Sequence, residues 1–321
     1  MNDRMKIAVL DAGTLGDDLS LSPLSEFGEV AIYRETPPAL VIERIADADI
    51  AVLNKVRLGR ENLGSAKKLK LICITATGFD NVDVAWCKEA GIGVCNVVGY
   101  STDSVAQITL SLVLSLYSHL MEYDQYVRSG AYSAGTAHNR LIPVYHELAG
   151  KTWGVVGYGN IGRKVAYVAN AIGCRVVCTR QHPTGNEPDE VLPLDELLCV
   201  SDVVTLHVPL NEGTRNLISR ERLSLMKRDA VLVNAARGGV WDEAAVVDAL
   251  KNGKLGGIGS DVYAKEPMAM DHPFASLASS DRAIFTPHMA WGAYEARVRC
   301  LTDICESIRS FLSGGKRSRI V

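Results

Sequence analysis

Three segments of the chain carry residue types suited to acid–base chemistry on an anionic substrate. Each segment follows an apolar run, and they contain Arg237, Glu266 and His288. A guanidinium can hold a carboxylate through two hydrogen bonds, and an imidazole can donate a proton near neutral pH. A carboxylate beside that imidazole keeps it protonated and fixes its tautomer. Alone, each residue fits an ordinary surface or loop role, but together they predict a site for anion binding and proton transfer.

A glycine motif stands upstream of these segments, between a strand-like run and a helical pattern. Residues 155–162 read Val-Val-Gly-Tyr-Gly-Asn-Ile-Gly, which places glycines at Gly157, Gly159 and Gly162. In a dinucleotide-binding turn the first glycine permits the tight turn, the second lets backbone approach the pyrophosphate, and the third lets helix pack on strand. The free N–H groups of the following helix would face the phosphates. The context favours a dinucleotide site over a purely structural turn.

The strand after the glycine motif bears on which dinucleotide binds. An NAD site usually has an acidic residue at the end of this strand, to accept from the ribose 2′-OH. Here the strand ends in Thr179 and Arg180, with no carboxylate. A guanidinium can bind a 2′-phosphate, and the threonine hydroxyl could assist. We expect NADP to be favoured over NAD; the alternative is a solvated arginine in an enzyme that uses both.

Together the two motifs indicate hydride transfer between a nicotinamide cofactor and a small 2-oxo or 2-hydroxy acid. Reduction of such an acid needs a cation for its carboxylate and developing oxyanion, and a proton donor for its carbonyl oxygen. We assign the first role to Arg237 and the second to His288, both of which would contact the substrate. Glu266 would hold the histidine protonated. No metal or thiol chemistry is required, because the cofactor carries the difficult step.

The elements that must position these residues alternate between short apolar runs and helical patterns, which is typical of parallel sheets covered on both faces. Because ligands bind outside the carboxyl ends of such strands, the three segments are expected to converge on one crevice. A helix is predicted over residues 82–90, a long one over 102–128 and a last one over 293–312. Strands are predicted near residues 6–11, 30–33, 50–53, 71–75 and 94–97, then 152–157, 175–179, 203–208, 230–234, 258–262 and 283–286.

This pattern predicts an α/β fold of two doubly wound parallel-sheet domains. Residues 1–100, completed by residues 292–321, would form a substrate-binding domain. Residues 101–291 would form a dinucleotide-binding Rossmann domain inserted into it. We expect a cleft between the two domains, which closes to exclude water from the hydride path.

Composition excludes several other classes of function. The 321 residues are 47% hydrophobic and carry 34 Lys and Arg against 37 Asp and Glu, a net charge of −3 with no basic stripe. We therefore expect no nucleic-acid partner. The sequence shows neither a signal-peptide pattern nor an apolar run long enough for a membrane span, so a cytoplasmic location and no membrane partner are expected. The eight cysteines are scattered without metal-ligand spacing, which predicts reduced core residues and no metal site.

These motifs resemble the D-isomer-specific 2-hydroxyacid dehydrogenase family over nearly the whole chain. The resemblance rests on the glycine turn at Gly157, the Asn-Ala-Ala-Arg-Gly-Gly block around Arg237, Asp-Val-Tyr-Ala-Lys-Glu-Pro from Asp261, and Thr-Pro-His-Met-Ala-Trp from Thr286. It implies that the matching arginine, glutamate and histidine are catalytic. It also implies that Asp261 contacts the nicotinamide carboxamide. Most relatives carry Asp where Arg180 stands, which puts NAD use in doubt here.

The resemblance implies further contacts at both ligands. The backbone of Ala76, Thr77 and Gly78 would meet the substrate carboxylate, as a glycine-containing turn after a strand can do; an ordinary strand-to-helix connection is the alternative. The remaining predicted cofactor contacts lie in the glycine turn and after two later strands: Tyr158, Asn160, Ile161, His207, Val208, Pro209 and Ala235.

Within the family the chain most resembles glycerate dehydrogenases, also called hydroxypyruvate reductases. That likeness implies a flavodoxin-like substrate domain and reduction of hydroxypyruvate or glyoxylate. It also implies a homodimer packed around the helix over 102–128 and the irregular segment after it. Three alternatives stay open: a nicotinamide-binding corepressor without turnover, a formate dehydrogenase-like enzyme, and a different 2-oxo acid such as pyruvate. Glu266 favours the hydroxyacid reaction, since formate dehydrogenases of this family place Gln there.

Overall fold

A computed structural model describes residues 4–185 and 187–321. The chain divides into two compact units. Unit 1 comprises Met1–Ser101 and Gly292–Val321, and unit 2 comprises Thr102–Trp291.

The strands of the described residues form one parallel sheet in each unit. Unit 1 contains β1 (Met5–Val9), β2 (Gly28–Ile32), β3 (Ile50–Leu53), β4 (Leu71–Ile74) and β5 (Gly93–Cys95). Unit 2 contains β6 (Thr152–Val156), β7 (Arg175–Thr179), β8 (Glu190–Val191), β9 (Val203–Leu206), β10 (Val231–Asn234), β11 (Gly257–Ser260) and β12 (Ala283–Phe285). The predicted strands are confirmed to within two residues at each end.

The helices of the described residues connect these strands. In chain order they are α1 (Val41–Ile45), α2 (Arg60–Leu63), α3 (Val84–Ala90), α4 (Thr102–Tyr117), α5 (Leu120–Arg128), α6 (Ala131–Ala134), α7 (Asn160–Ala171), α8 (Leu194–Val200), α9 (Arg220–Leu225), α10 (Glu243–Lys251) and α11 (Tyr294–Leu312). Asp83 caps α3 by accepting from the N–H of Trp86, and Gly91 ends it in the left-handed conformation with φ 72°.

Strand order confirms the predicted fold class. The unit 1 sheet runs β2-β1-β3-β4-β5, which is the flavodoxin-like order, and the unit 2 sheet runs β12-β11-β10-β9-β6-β7-β8. The second order contains the six-stranded Rossmann arrangement as β8-β7-β6-β9-β10-β11, with β12 added at the opposite edge from β8. Sequence analysis missed β8 because a two-residue strand that begins with glutamate has no apolar run. Strands such as β3, β4 and β10 are buried throughout, as parallel strands covered on both faces should be.

The single helix predicted over residues 102–128 is wrong. Helix α4 ends at Tyr117, and His119 then adopts the left-handed conformation with φ 51° before α5 begins. Leu112 and Leu116 of α4 pack close to Gly259 and Gly257 of β11, where the strand has no side chains to hold the helix away. Beyond that contact the chain turns at two polar residues. Among the described residues no single helix is long and apolar enough to cross a membrane; α4 and α5 pass that test only as a pair, bent by 65°.

The cysteines of the chain are free thiols. All are buried except Cys199. Cys73 and Cys95 lie side by side on β4 and β5, with their sulfur atoms 3.5 Å apart. Burial raises the pKa of several of these thiols, for example that of Cys87 to about 11. These thiols behave as small apolar core side chains, as expected from their sequence contexts.

Candidate active site

The register of the unit 2 sheet places six strand ends in one row. Val156 of β6 pairs with Thr179 of β7 and with Leu206 of β9. The row continues through Asn234 of β10 and Ser260 of β11 to Phe285 of β12. All pairings are parallel, so the residues that follow these strands emerge at the same edge of the sheet. Those residues include nearly every unit 2 position singled out from the sequence.

The glycine turn at this edge leaves no room for side chains at two of its positions. Gly157 has φ 96°, and a Cβ there would lie 2.6 Å from the carbonyl oxygen of His207. At Gly162 a Cβ would lie 2.0 Å from the carbonyl oxygen of Gly157, so the close approach of α7 to the turn requires glycine. A Cβ at Gly159 would meet nothing within 4 Å. The turn is therefore open where the backbone would approach a pyrophosphate.

The other residues of the turn play different parts. Tyr158 is buried, and its hydroxyl donates a hydrogen bond to Asp189, so its side chain points into the fold. Burial, followed by this hydrogen bond, raises the pKa of Tyr158 above its ordinary value. Asn160 begins α7 and accepts from Arg163, 2.9 Å away, while Ile161 packs against the core. Because the Tyr158 side chain points into the fold, only its backbone can face a ligand at the turn.

His207 follows β9 and is the least satisfied polar side chain at this edge. Neither of its ring nitrogens has a hydrogen-bond partner among the described residues, although both are buried. Burial lowers the pKa of His207 to about 3, so the ring is neutral. The next residue, Val208, contacts the glycine turn, since its Cγ1 would lie 2.8 Å from a Cβ at Gly157. An orphaned imidazole beside the turn fits a site that a polar ligand completes.

Arg180 follows β7 and is engaged by a carboxylate. Its Nη1 donates to Oε1 of Glu187, 3.0 Å away, and the arginine side chain remains 28% exposed. Thr179 is half-buried, and its carbonyl oxygen accepts from the N–H of Gly157. The predicted 2′-phosphate ligands therefore stand beside the glycine turn, but the guanidinium already has an anionic partner.

The turn after β10 presents Arg237. Asn234, which is fully buried, organises this turn: its side chain accepts from the N–H of Ala236 and donates to the carbonyl oxygen of Arg237, both at 3.0 Å. Ala235 lies half-buried between them. The Arg237 guanidinium donates to the carbonyl oxygen of Ala236 and makes no ion pair with a described carboxylate. This partly exposed cation is therefore available to an anionic ligand.

Glu266 and His288 form a hydrogen-bonded pair after β11 and β12. Oε2 of the glutamate lies 2.6 Å from Nδ1 of the histidine, and its Oε1 accepts from the N–H of Tyr263 at 3.0 Å. His288 has φ 52°, an uncommon left-handed conformation for a residue other than glycine. Trp291 helps to hold it, donating from its indole to the histidine carbonyl oxygen. The pair leaves Nε2 of His288 without a hydrogen bond to any described residue.

Asp261 is buried beneath the loop that carries His288. One carboxylate oxygen accepts from the hydroxyl of Thr286 at 2.6 Å and from the N–H of Met289 at 2.8 Å, and the other accepts from the N–H of Ala290 at 3.0 Å. Burial raises the pKa of Asp261, while the Thr286 hydrogen bond and the two N–H groups act in the opposite direction. The carboxylate thus anchors the loop on both sides of the histidine.

A second carboxylate–histidine pair supports the loop that carries Glu266. Oε2 of Glu243 lies 2.9 Å from Nε2 of His272, and Oε1 accepts from the N–H of Ala264 at 2.9 Å. Gly238 adds a steric contact to the same loop, because a Cβ there would lie 1.9 Å from the carbonyl carbon of Tyr263. The turn of Arg237 and the loop of Glu266 are therefore in direct backbone contact.

The predicted substrate residues Ala76, Thr77 and Gly78 follow β4 in unit 1. The Thr77 hydroxyl donates to the carbonyl oxygen of Val97 at 2.9 Å, and Asn96 donates to that of Thr77 at 2.7 Å. These contacts hold the turn against the segment after β5. The remaining predicted cofactor residue, Pro209, is exposed after Val208, and its carbonyl oxygen accepts from Thr214.

Sequence reasoning missed four polar residues that shape the site: Asn234, Glu187, Glu243 and His272. A signal existed for Asn234, because an amide directly after a buried apolar run needs hydrogen-bond partners. Glu187 lies in a polar segment of ordinary loop composition, and Glu243 and His272 lie 29 residues apart. Nothing local in the sequence pairs them.

Comparison with known proteins identifies the family. Residues 110–290 match the model of the D-isomer specific 2-hydroxyacid dehydrogenase, NAD binding domain. A glycerate dehydrogenase of Methylorubrum extorquens is 36% identical over 310 residues, which cover 96% of this chain and 96% of that protein. A hydroxypyruvate reductase of Blautia hydrogenotrophica is 35% identical, covering 97% of this chain and 98% of that protein.

A solved structure extends the likeness to three dimensions. An acyclic imino acid reductase in complex with NADPH and D-Arg superimposes with a TM-score of 0.88 at 28% identity, covering 99% of this chain and 100% of that one. The chain belongs to the D-isomer specific 2-hydroxyacid dehydrogenase family. It is accordingly an NAD(P)-dependent oxidoreductase, as the sequence analysis predicted.

Proposed function

We propose that the chain reduces a small 2-oxo acid, hydroxypyruvate or glyoxylate, to the D-2-hydroxy acid. The observation that carries this proposal is the placement of Arg237 and the Glu266–His288 pair after three adjacent strands of one sheet. Relatives named glycerate dehydrogenase and hydroxypyruvate reductase support the same substrate class. A cation and a histidine with a free Nε2 are the two groups that reduction of a 2-oxo acid requires from the protein.

Each residue has a defined part in the proposed mechanism. A bound nicotinamide cofactor supplies the hydride. Arg237 binds the substrate carboxylate and stabilises the negative charge that develops on the carbonyl oxygen. His288 donates a proton from Nε2 to that oxygen, while Glu266 accepts the Nδ1 hydrogen bond and stabilises the protonated ring. Ala76, Thr77 and Gly78 are assigned to the substrate carboxylate, as the family resemblance implies.

The residues around the glycine turn fit a dinucleotide. Gly157 and Gly162 exclude side chains, Gly159 is open, and the buried nitrogens of His207 lack partners within the described residues. We infer that the turn and the N–H groups at the start of α7 hold the pyrophosphate. Arg180, at the end of β7, supports a preference for NADP over NAD, because its charge would bind a 2′-phosphate. We further assign Asp261 to the nicotinamide end, where it also anchors the loop of His288.

The test is turnover of hydroxypyruvate and of glyoxylate by the purified protein with NADPH and, separately, with NADH. We expect faster oxidation of NADPH. His288→Ala should lower kcat by about two to four orders of magnitude with cofactor affinity unchanged. Arg237→Lys keeps the charge but loses the planar fork, so it should retain more activity than Arg237→Gln. Absence of turnover with these acids, and with a panel of other 2-oxo acids, would contradict the proposal.

We also propose that the protein is a homodimer in which a second copy covers α5 and the segment that follows it. Residues 120–145 expose an unusual number of large apolar side chains: Leu120, Met121, Val127, Leu141, Ile142, Val144 and Tyr145. Three of these, Leu141, Ile142 and Val144, are 66–70% exposed in a single chain, which favours a protein–protein contact. Light scattering should give twice the mass of one chain, and Leu141→Asp with Val144→Asp should halve it. A monomeric wild-type protein would contradict the dimer.

A further inference from the structure

The segment between β7 and β8 carries a carboxylate that faces the proposed cofactor-selecting arginine. Oε1 of Glu187 accepts a hydrogen bond from Nη1 of Arg180 at 3.0 Å. The glutamate side chain is only 3% exposed, whereas the arginine side chain is 28% exposed. The pair is therefore shielded on the side of the carboxylate and accessible on the side of the guanidinium.

Glu187 is held in this place by contacts that do not involve Arg180. The same oxygen, Oε1, accepts from the N–H of Thr184 at 2.7 Å and from its hydroxyl at 2.8 Å. The hydrogen bond from the Thr184 N–H, and next the one from its hydroxyl, lower the pKa of Glu187 to about 2. The side chain is thus negatively charged at neutral pH and held in place by Thr184.

The segment is also attached to the glycine turn. Asp189 accepts from the hydroxyl of Tyr158, which lies in the turn, and from the side chain of Asn170 on α7 at 2.8 Å. At its end the segment pairs with β7, with Glu190 opposite Val177. These contacts keep the Glu187 carboxylate beside the strand end where a bound ribose would lie.

We propose that Glu187 is a specificity-determining residue that neutralises Arg180 and thereby limits the preference for NADP over NAD. A 2′-phosphate must compete with the Glu187 carboxylate for the guanidinium, whereas an uncharged 2′-hydroxyl needs no such exchange. The preference for NADP over NAD therefore depends on Arg180 and Glu187 together, and it is weaker than the preference that an unpaired Arg180 would give. This inference rests on the proposed role of Arg180 in binding the 2′-phosphate.

The test compares dissociation constants of NADP⁺ and NAD⁺, measured by titration calorimetry, for the wild-type protein and Glu187→Gln. Glutamine keeps the shape and an acceptor for Thr184 but removes the charge. We expect the affinity for NADP⁺ to rise about tenfold, as expected when a like charge near a surface site is removed, with less than about a twofold change for NAD⁺. The gain should shrink as salt is raised, because exposed charges are screened.

Glu190→Gln is the matched control. Glu190 begins β8, directly after this segment, and pairs with Arg175 at the other end of β7, at 2.5 Å, so loss of its charge should leave both dissociation constants unchanged. Unchanged or weaker NADP⁺ binding by Glu187→Gln would overturn the inference. Arg180→Ala separates the two proposals: if it weakens NADP⁺ binding while Glu187→Gln has no effect, Arg180 keeps its role and only the inference fails. If neither variant alters NADP⁺ binding, the role of Arg180 fails as well.

Discussion

Replacing Gly238 by alanine should separate the two loops that carry Arg237 and Glu266. A Cβ at this position would lie 1.9 Å from the carbonyl carbon of Tyr263 and 2.1 Å from the nitrogen of Ala264. Both neighbours are backbone atoms, which cannot rotate away as a side chain can. The loop of Glu266 must therefore withdraw by about 1.5–2 Å to restore an ordinary van der Waals contact.

The size of the effect depends on the hydrogen bonds that resist this movement of the loop. The N–H of Ala264 is bonded to Glu243, and the N–H of Tyr263 is bonded to Glu266. Overpacking against a fixed backbone costs about 3 kcal/mol, the upper end of the usual range. For a unit of this size that corresponds to a fall in Tm of roughly 6–12 °C. A shift of about 1 Å in catalytic groups should lower kcat about 100-fold.

Gly239 provides the control at the adjacent position. The nearest atoms to a Cβ there would be the end of the Leu210 side chain, at 3.2 and 3.3 Å, and that of Arg215, at 3.6 Å. Gly239→Ala should therefore change Tm by less than about 3 °C and leave kcat within a few-fold of wild type. The assays are thermal unfolding and steady-state reduction of hydroxypyruvate. Wild-type Tm and kcat in Gly238→Ala would refute the contact between the two loops as the feature that positions the site.

Three further predictions concern single side chains. Gly162→Ala should weaken cofactor binding at least about tenfold by calorimetry, because the new Cβ would lie 2.0 Å from the carbonyl oxygen of Gly157. Glu243→Gln should lower the free energy of unfolding by about 1–3 kcal/mol in urea titrations, because either the buried His272 ring or the N–H of Ala264 loses its acceptor. Burial lowers the pKa of His207 from 6.5 to about 3, so below pH 6.5 the unfolded chain binds a proton that the folded chain does not. The wild-type protein should therefore lose about 2 kcal/mol of stability from pH 7 to pH 5 that His207→Asn does not lose; equal losses would contradict the burial of a neutral ring.

The sequence predicted the strands of both sheets because parallel strands buried on both faces need continuous apolar runs. β10 reads Val-Leu-Val-Asn and is buried throughout, and its end places Arg237 at the ligand edge. The same reasoning could not find the break between α4 and α5. Helical periodicity continues across it, and the departure at His119 occurs where α4 passes beyond the sheet that it packs against. That is a tertiary contact, and no local pattern encodes it.

Side-chain partners were harder to predict than side-chain positions. Arg180 could be placed at the end of β7 from the sequence, but its pairing with Glu187 depends on the course of an irregular segment. From residue type, NADP was favoured over NAD, with a solvated arginine in an enzyme that uses both as the alternative. The structure gives an arginine paired with Glu187, which the residue types alone did not predict.

The two carboxylate–histidine pairs of unit 2 show why residue type alone does not define a catalytic group. Nδ1 of His272 accepts from the N–H of Phe274, so its proton is on Nε2, where it is donated to Glu243. Both ring nitrogens are used and the side chain is 7% exposed, so this pair can hold a loop but cannot exchange a proton with a substrate. In the other pair the carboxylate of Glu266 is hydrogen-bonded to Nδ1 of His288. The His288 side chain is 21% exposed, and its Nε2 makes no hydrogen bond to a described residue. Both histidines have a carboxylate partner, so the distinction lies in the other ring nitrogen. That nitrogen is hydrogen-bonded in His272, which supports a loop, and it is available in His288, to which we assign proton transfer.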